Sequence, residues 1–328
     1  MNEFDDHLDA DATARETDGR GFATPAEDAK RTREQWLKDR ESGIGSSDAA
    51  AAIGVCPWKS RFQLWAEKTG LADPPNLDAV EAVEWGNRLE PIITRAFSEH
   101  TLRDVTHNEE HEMWRHPDRQ FLRATPDAFQ FDDDKADQRG ILEIKTAGHW
   151  AGKSWIDENE PPLHYQVQVQ HQLACTGLTW GTLCVLIGGQ KMIWFDVQRN
   201  DRFIDAMIEK EAFFWTQVIN KIPPEPDGSI ATTEVLKRLY PKDDGEIIAL
   251  HESLVQWDEK LQAAKVTIKE AEAIKSEAQN KLKAAIGTAT VGVLPDGSQY
   301  SYKRQTTKRP ARPASESSYR VLRRKAAK

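Results

Sequence analysis

The chain has 328 residues, 39% hydrophobic and 8% aromatic, enough to bury a sizeable core as one main domain with an appendage. No run of about 18 apolar residues occurs, and the acidic opening MNEFDDHLDADATARETDG is unlike a signal peptide, so the sequence reads as that of a soluble, cytosolic protein without a membrane partner. Cys56, Cys175 and Cys184 are odd in number and lack CxxC spacing, which argues against a disulfide framework, a zinc ribbon or a four-cysteine cluster.

The net charge of −9 conceals a polarity along the chain. Residues 1–28 hold nine acids against Arg15 and Arg20, whereas residues 303–328 hold ten Lys or Arg against Glu316 alone. A basic tail of this kind suits a phosphate backbone, and a solvated, unstructured terminus suits it equally.

Residues 1–30 lack hydrophobic periodicity and are expected to be disordered. A helix is expected from near Ala26 through Trp36 and Leu37. Ser46, Ser47 and Asp48 then offer N-cap chemistry ahead of an alanine-rich helix, and SRFQLWAEKTG reads as another helix ended by Gly70. DAVEAVEWGNRLEPIITRAFSEH has helical spacing with Pro91 inside it, which predicts two helices or a kink just after Glu90. From about 102 to 147 the pattern turns to strands, followed by a helix over 163–176, strands WGTLCVLIGG and KMIWFDV, and a helix RFIDAMIEKEAFFWTQVIN. Strands bracketed by helices predict an α/β or α+β domain over residues 31–222.

KIPPEPDGS starts an expected linker, taken as 223–245. Ile247, Leu250, Leu254, Trp257, Leu261, Ala264 and Ile268 then recur at spacings of three and four, the seam of a coiled-coil-like helix or helical arm over 246–287. TVGVLPDGSQYSYKRQ carries a hairpin signature, so residues 288–328 are expected to be a β-hairpin with a basic tail.

The stretch GILEIKTAGHW places Glu143 and Lys145 in an otherwise apolar run. In a strand both point to one face and Leu142, Ile144 and Thr146 to the other. Alone, Glu-x-Lys describes an ordinary ion pair. Sixteen residues upstream, however, FLRATPDAF supplies Asp127, from which a preceding strand could bring a second carboxylate to Glu143. Two carboxylates and a backbone carbonyl suit a hard divalent cation, and a lysine beside them can orient water or stabilise charge on a phosphate. Such a set is suited to phosphodiester hydrolysis.

This Pro-Asp, spacer, Glu-x-Lys arrangement resembles the PD-(D/E)xK nuclease superfamily. GIGSSDAAAAIGVCPWKSRFQLWAEKTG, EWGNRLEPIITRAF, FLRATPDAF, ILEIKTA and PPLHYQVQVQHQLACTG moreover occur in the order of the YqaJ-type phage recombinases, whose relatives include lambda exonuclease. The resemblance spans about residues 35–220. It implies a restriction-endonuclease-like core with a central mixed β-sheet flanked by helices. It also implies Asp127, Glu143, the Ile144 main-chain carbonyl and Glu90 as ligands of Mg²⁺ or Mn²⁺, with Lys145 as the catalytic lysine.

By the same resemblance, Tyr165 and Gln168, one helical turn apart, face the site, and Arg40 and Ser47 hold a terminal 5′-phosphate. The Ser46–Asp48 segment also suits a plain N-cap. The implied activity is 5′→3′ degradation of double-stranded DNA, leaving a 3′ strand for a phage single-strand annealing protein. The implied assembly is a homo-oligomer such as a trimer ring, in a bacterial host cytoplasm. A structure-specific or restriction-type endonuclease and a non-catalytic DNA-binding scaffold are the alternatives. Trp58, Trp85 and Trp150 could stack on bases, although tryptophans in a domain of this size are more often core. His149, His164 and His171 lack zinc-site spacing and suit hydrogen bonding instead.

Overall fold

A computed structural model describes residues 32–76, 80–108 and 112–306. The acidic N-terminus, the helix start expected near Ala26 and the basic tail from residue 307 onward lie outside the described residues. The chain divides into two compact units at the Tyr240–Pro241 junction.

The first unit opens with α1 (Arg33–Glu41), started by a capping box in which Thr32 accepts the Gln35 N–H while the Gln35 side chain accepts the Thr32 N–H. A short β1 (Ile44–Gly45) leads into α2 (Ser46–Ala52), whose alanines are buried, and then α3 (Arg61–Lys68), capped by Ser60. Next comes α4 (Glu81–Thr101), one 21-residue helix that runs through Pro91, so the expected division into two helices does not occur. Leu102, left-handed at φ 59°, ends it.

The strands follow as β2 (Asp104–His107), β3 (Trp114–Arg115), β4 (Leu122–Ala124), β5 (Ala128–Phe131) and β6 (Arg139–Ala147). After them come α5 (His149–Asp157), α6 (Leu163–Thr176), β7 (Trp180–Ile187), β8 (Lys191–Gln198) and α7 (Asp201–Ile219).

The central sheet has the order β2-β5-β6-β7-β8, antiparallel except for β6 and β7. That parallel pair exists because α5 and α6 make the crossover between its strands. A smaller sheet, β1-β4-β3, lies beside it. Alternation along β6 sorts the two faces of the central sheet. Ile141 joins the cluster that includes Val167 and Leu173 of α6, while Leu142 and Ile144 pack with Ile93 and Phe97 of α4. The fold is thus mixed α/β, with a mixed sheet flanked by helices.

The expected linker over 223–245 is corrected by α8 (Ile230–Leu239). Its Val235 is wholly buried, Thr232 donates to Ser60 Oγ at 2.8 Å, and Arg238 donates to the Asp73 carbonyl. The three prolines mark only a short crossing into this helix, because burial of Thr232 and Val235 ties it to the first unit's core.

The second unit contains a 3-10 turn at Glu252–Leu254, α9 (Val255–Ile286) and a hairpin of β9 (Val291–Val293) with β10 (Gln299–Ser301). The hairpin turns at Pro295-Asp296-Gly297, with Gly297 at φ 85° and Asp296 accepting the Ser298 N–H. The helix is shorter than the expected 246–287, because residues 246–251 remain irregular. No residue of α9 is buried, and Leu261 and Ile268 of the apolar seam are exposed.

Candidate active site

The site is built where β6 extends past the end of β5. β5 pairs with β6 only as far as Leu142, so Ile144 meets no strand on that side. Its N–H instead donates to Asp127 Oδ2 at 2.7 Å, from the residue just before β5. A strand residue turns its N–H and C=O toward the same side, so the Ile144 carbonyl also opens toward Asp127.

Glu143 projects to the α6 face and is 2% exposed. Its Oε1 receives hydrogen bonds from Lys145 Nζ and Gln168 Nε2, and its Oε2 from Gln172 Nε2 at 2.6 Å. The shared face expected for residues 143 and 145 is therefore observed. Gln168 and Gln172, one turn apart on α6, grip the carboxylate from the same side. Tyr165, one turn before Gln168, places its ring centroid 5.7 Å from Lys145 Nζ. Gln170 turns away and clamps the β8–α7 corner, donating to the Gln198 carbonyl and accepting the Asn200 N–H.

Glu90 of α4 adds a further acid whose charge acts on Asp127 and feels that of Glu143. Burial and the charges of Glu143 and Glu90 hold the Asp127 carboxyl well above the usual carboxylate range, against the opposing Lys145. Burial and Glu143 raise Glu90 as well. Burial disfavours the Lys145 ammonium, but Glu143 and Asp127 outweigh it and raise its pKa. Asp127 and Glu90, whose charged forms are disfavoured beside Glu143, offer with it oxygens whose charge a divalent cation would relieve. Among the described residues no three His, Cys, Asp or Glu side chains are already gathered as a ready-made ligand cluster. The fit to a cation thus rests on the chemistry of the oxygens rather than on a preformed cage.

Arg40 and Ser47 are also brought together, with Arg40 Nη2 donating to Ser47 Oγ at 3.0 Å. The N-cap of α2 is Gly45, with no side-chain cap bond, so the plain N-cap role for the serines is not observed. Behind this pair lies a network that sequence reasoning missed. Asp48, 8% exposed, accepts Lys68 at 3.0 Å and Lys59 at 3.4 Å, while Lys59 also meets Glu67 at 2.8 Å. Burial opposes ionisation of Asp48, but Lys68, Lys59 and Arg40 hold its carboxyl far below the usual range. Lys68 donates to the Arg40 carbonyl at 2.7 Å, which fixes the backbone that presents the guanidinium.

Gln172 was missed too, although its i+4 spacing from Gln168 was a legible signal. His171 forms a buried pair with Glu211, Nδ1 to Oε1 at 2.8 Å, while Nε2 faces the Arg123 carbonyl at 2.9 Å. The hydrogen-bonding role expected for His171 is thus what the structure gives. The expectation of core tryptophans is corrected: Trp58, Trp85 and Trp150 are 66%, 53% and 84% exposed.

Residues 35–179 match the description of the YqaJ-like viral recombinase domain. The chain is 32% identical over 273 residues to Uncharacterized protein YqaJ of Bacillus subtilis (strain 168), spanning 82% of this chain and 83% of that protein. Among solved structures it is similar to the alkaline exonuclease LHK-Exo from Laribacter hongkongensis, at 23% identity, covering 58% of this chain and 94% of that one, with a TM-score of 0.49. A phage related exonuclease from Haemophilus somnus 129PT follows at 13% identity, covering 55% of this chain and 96% of that one, with a TM-score of 0.39.

Proposed function

Because the chain belongs to the family of YqaJ-like viral recombinase domains, we propose that it is a divalent-metal-dependent deoxyribonuclease that degrades double-stranded DNA from a 5′ end and leaves a 3′ strand. The observation that carries this reading is the convergence of Lys145, Gln168 and Gln172 on the buried Glu143, with Asp127 bound to the Ile144 N–H beside it.

Asp127, Glu143, the Ile144 carbonyl and Glu90 would hold Mg²⁺ or Mn²⁺. Such an ion supplies Lewis-acid activation of the attacking water and neutralises charge on the leaving oxygen. Lys145, kept as an ammonium by the acids around it, stabilises charge on the phosphoryl oxygens and orients the water by donating a hydrogen bond. Gln168 and Gln172 fix the rotamer of Glu143, and Tyr165 bounds the Lys145 ammonium on one side. Arg40 and Ser47 supply a guanidinium and a hydroxyl for a terminal 5′-phosphate, which sets the direction of degradation. The 3′ strand suits a single-strand annealing protein, and a ring of copies around the duplex is the assembly that the family resemblance implies.

The test is digestion of linear duplex with 5′-phosphate ends, linear duplex with 5′-hydroxyl ends and closed circular DNA, each with Mg²⁺ and with EDTA. We expect loss of the phosphorylated duplex only with Mg²⁺, slower loss of the hydroxyl form and an intact circle. Cutting of the circle at the linear rate would instead establish an endonuclease. Full activity in Asp127→Ala or Lys145→Ala would remove the site assignment.

A further inference from the structure

Trp58, Trp85 and Trp150 are large aromatic side chains that the fold leaves exposed. Trp85 carries Arg88 at 5.9 Å from its ring, and Trp150 meets His149 at 5.6 Å. Trp58 differs, because its contacts lead into the site. Its indole stands edge-on to the His164 ring at 5.0 Å, the His164 ring lies 4.1 Å from Tyr165, and Tyr165 borders Lys145. Three successive contacts therefore connect an indole that is 66% exposed to the ammonium beside Glu143.

The segment that presents Trp58 is held on both sides. Before it, the N–H groups of Val55 and Cys56 both donate to the Ala50 carbonyl, at 2.8 and 3.1 Å. After it, Lys59 is fixed by Asp48 and Glu67, and Ser60 caps α3 while accepting from Thr232. The indole is thus displayed on a pinned segment, tied through Asp48 to the helix that carries Ser47. His164 Nε2 is buried and has no hydrogen-bond partner among the described residues.

We propose that the exposed face of the Trp58 indole, buttressed edge-on by His164, forms a stacking platform for a nucleobase of the DNA strand that enters the Glu143–Lys145 site. The proposal rests on the nuclease reading above and adds a base-binding subsite to it. Every base has a π-face, so a platform of this kind tolerates any sequence, as a degrading enzyme requires. Burial and the neighbouring Lys145 lower the His164 pKa, which favours the neutral ring. An indole carried on a pinned segment needs little backbone ordering on binding, so less of the stacking energy is offset by lost backbone freedom.

The test is fluorescence anisotropy of the full-length protein with a 5′-phosphorylated labelled duplex in EDTA, which prevents turnover. Wild type, Trp58→Ala, Trp58→Phe and Trp150→Ala are each titrated with intact DNA and with duplexes bearing one abasic nucleotide at successive positions from the 5′ end. Base–aromatic stacking predicts that Trp58→Ala raises Kd by about tenfold, whereas Trp58→Phe stays near wild type. In wild type one abasic position should weaken binding by a similar factor, and in Trp58→Ala that position should have no further effect. Trp150→Ala should keep the wild-type abasic profile. Since Trp58 is exposed, matched melting curves would show that the variants fold alike.

Equal affinity of Trp58→Ala and wild type, or the same abasic profile in both, overturns the platform. If wild type degrades linear DNA with Mg²⁺ while that profile is unchanged, only the platform fails. If wild type degrades no linear DNA, the nuclease reading fails and the platform with it.

Discussion

Gln172 Nε2 donates to Glu143 Oε2 at 2.6 Å, taking the oxygen that Lys145 and Gln168 leave free. The Gln172 amide is wholly buried, and its own Oε1 has no partner among the described residues. A buried side chain that uses one half of its amide to hold a carboxylate is a positioning residue. We expect Gln172→Leu to remain folded, to lower kcat roughly 10- to 100-fold and to raise the Mg²⁺ concentration for half-maximal DNA hydrolysis, as loss of an outer partner of a ligand does. A metal titration of the hydrolysis rate checks this. Unchanged metal dependence would reduce Gln172 to packing.

His171 and Glu211 give stability a pH dependence of known sign. Burial disfavours the imidazolium, but Glu211 beside Nδ1 outweighs it and raises the His171 pKa well above its ordinary value. The contribution of the pair is therefore complete below the unfolded pKa of about 6.5 and is lost as pH rises through the raised folded value. We expect His171→Asn to lower the melting temperature most at acidic to neutral pH, and its curve to converge toward wild type on the alkaline side. Melting curves across that range decide the matter. A constant offset would mean that the pair carries no net proton linkage.

Asp48 joins α2 to Lys59 and Lys68. Asp48→Ala takes away the carboxylate that balances the buried Lys68 ammonium and leaves Lys59 with Glu67, so it should destabilise the fold by about 3 kcal/mol in urea titrations. The loss in the double variant with Lys68→Ala should be smaller than the sum of the single losses, because the two side chains share one interaction. Strict additivity would contradict the pairing.

Gly140 on β6 faces the indole of Trp180, and a Cβ there would lie 2.6 to 2.7 Å from three of its atoms. Trp180 is itself fully buried, and its Nε1 is bound to the Asp137 carbonyl. The ring cannot yield freely, so Gly140→Ala should cost about 1–3 kcal/mol of stability, as overpacking does. Denaturant unfolding measures this directly, and wild-type stability would show that the strand can shift.

Much of the site was legible because it is local. The alternation of ILEIK places Glu143 and Lys145 on one face, and the helical spacing of YQVQ aims Tyr165 and Gln168 together. Gln172 shares that periodicity and could have been read from it. Asp48 could not, since its partners lie 11 and 20 positions away and meet it only because α2 and α3 pack together.

α8 was hidden for a similar reason. The prolines before it are a strong local signal for a linker, whereas its attachment depends on Thr232 reaching Ser60 across 172 positions. The exposure of Trp58, Trp85 and Trp150 escaped because composition predicts average burial and says nothing about which side of a surface an indole takes.

By itself, then, the sequence determined the periodicities, the turns and the order of the motifs, all of which depend on backbone geometry over a few residues. Only the tertiary structure decided that Asp127 meets the Ile144 N–H where β5 ends, that Glu143 is held by two glutamines, and that Trp58 faces outward beside His164 and Tyr165. Those contacts join residues distant in sequence, and they follow from how helices pack on the sheet, which no local pattern encodes.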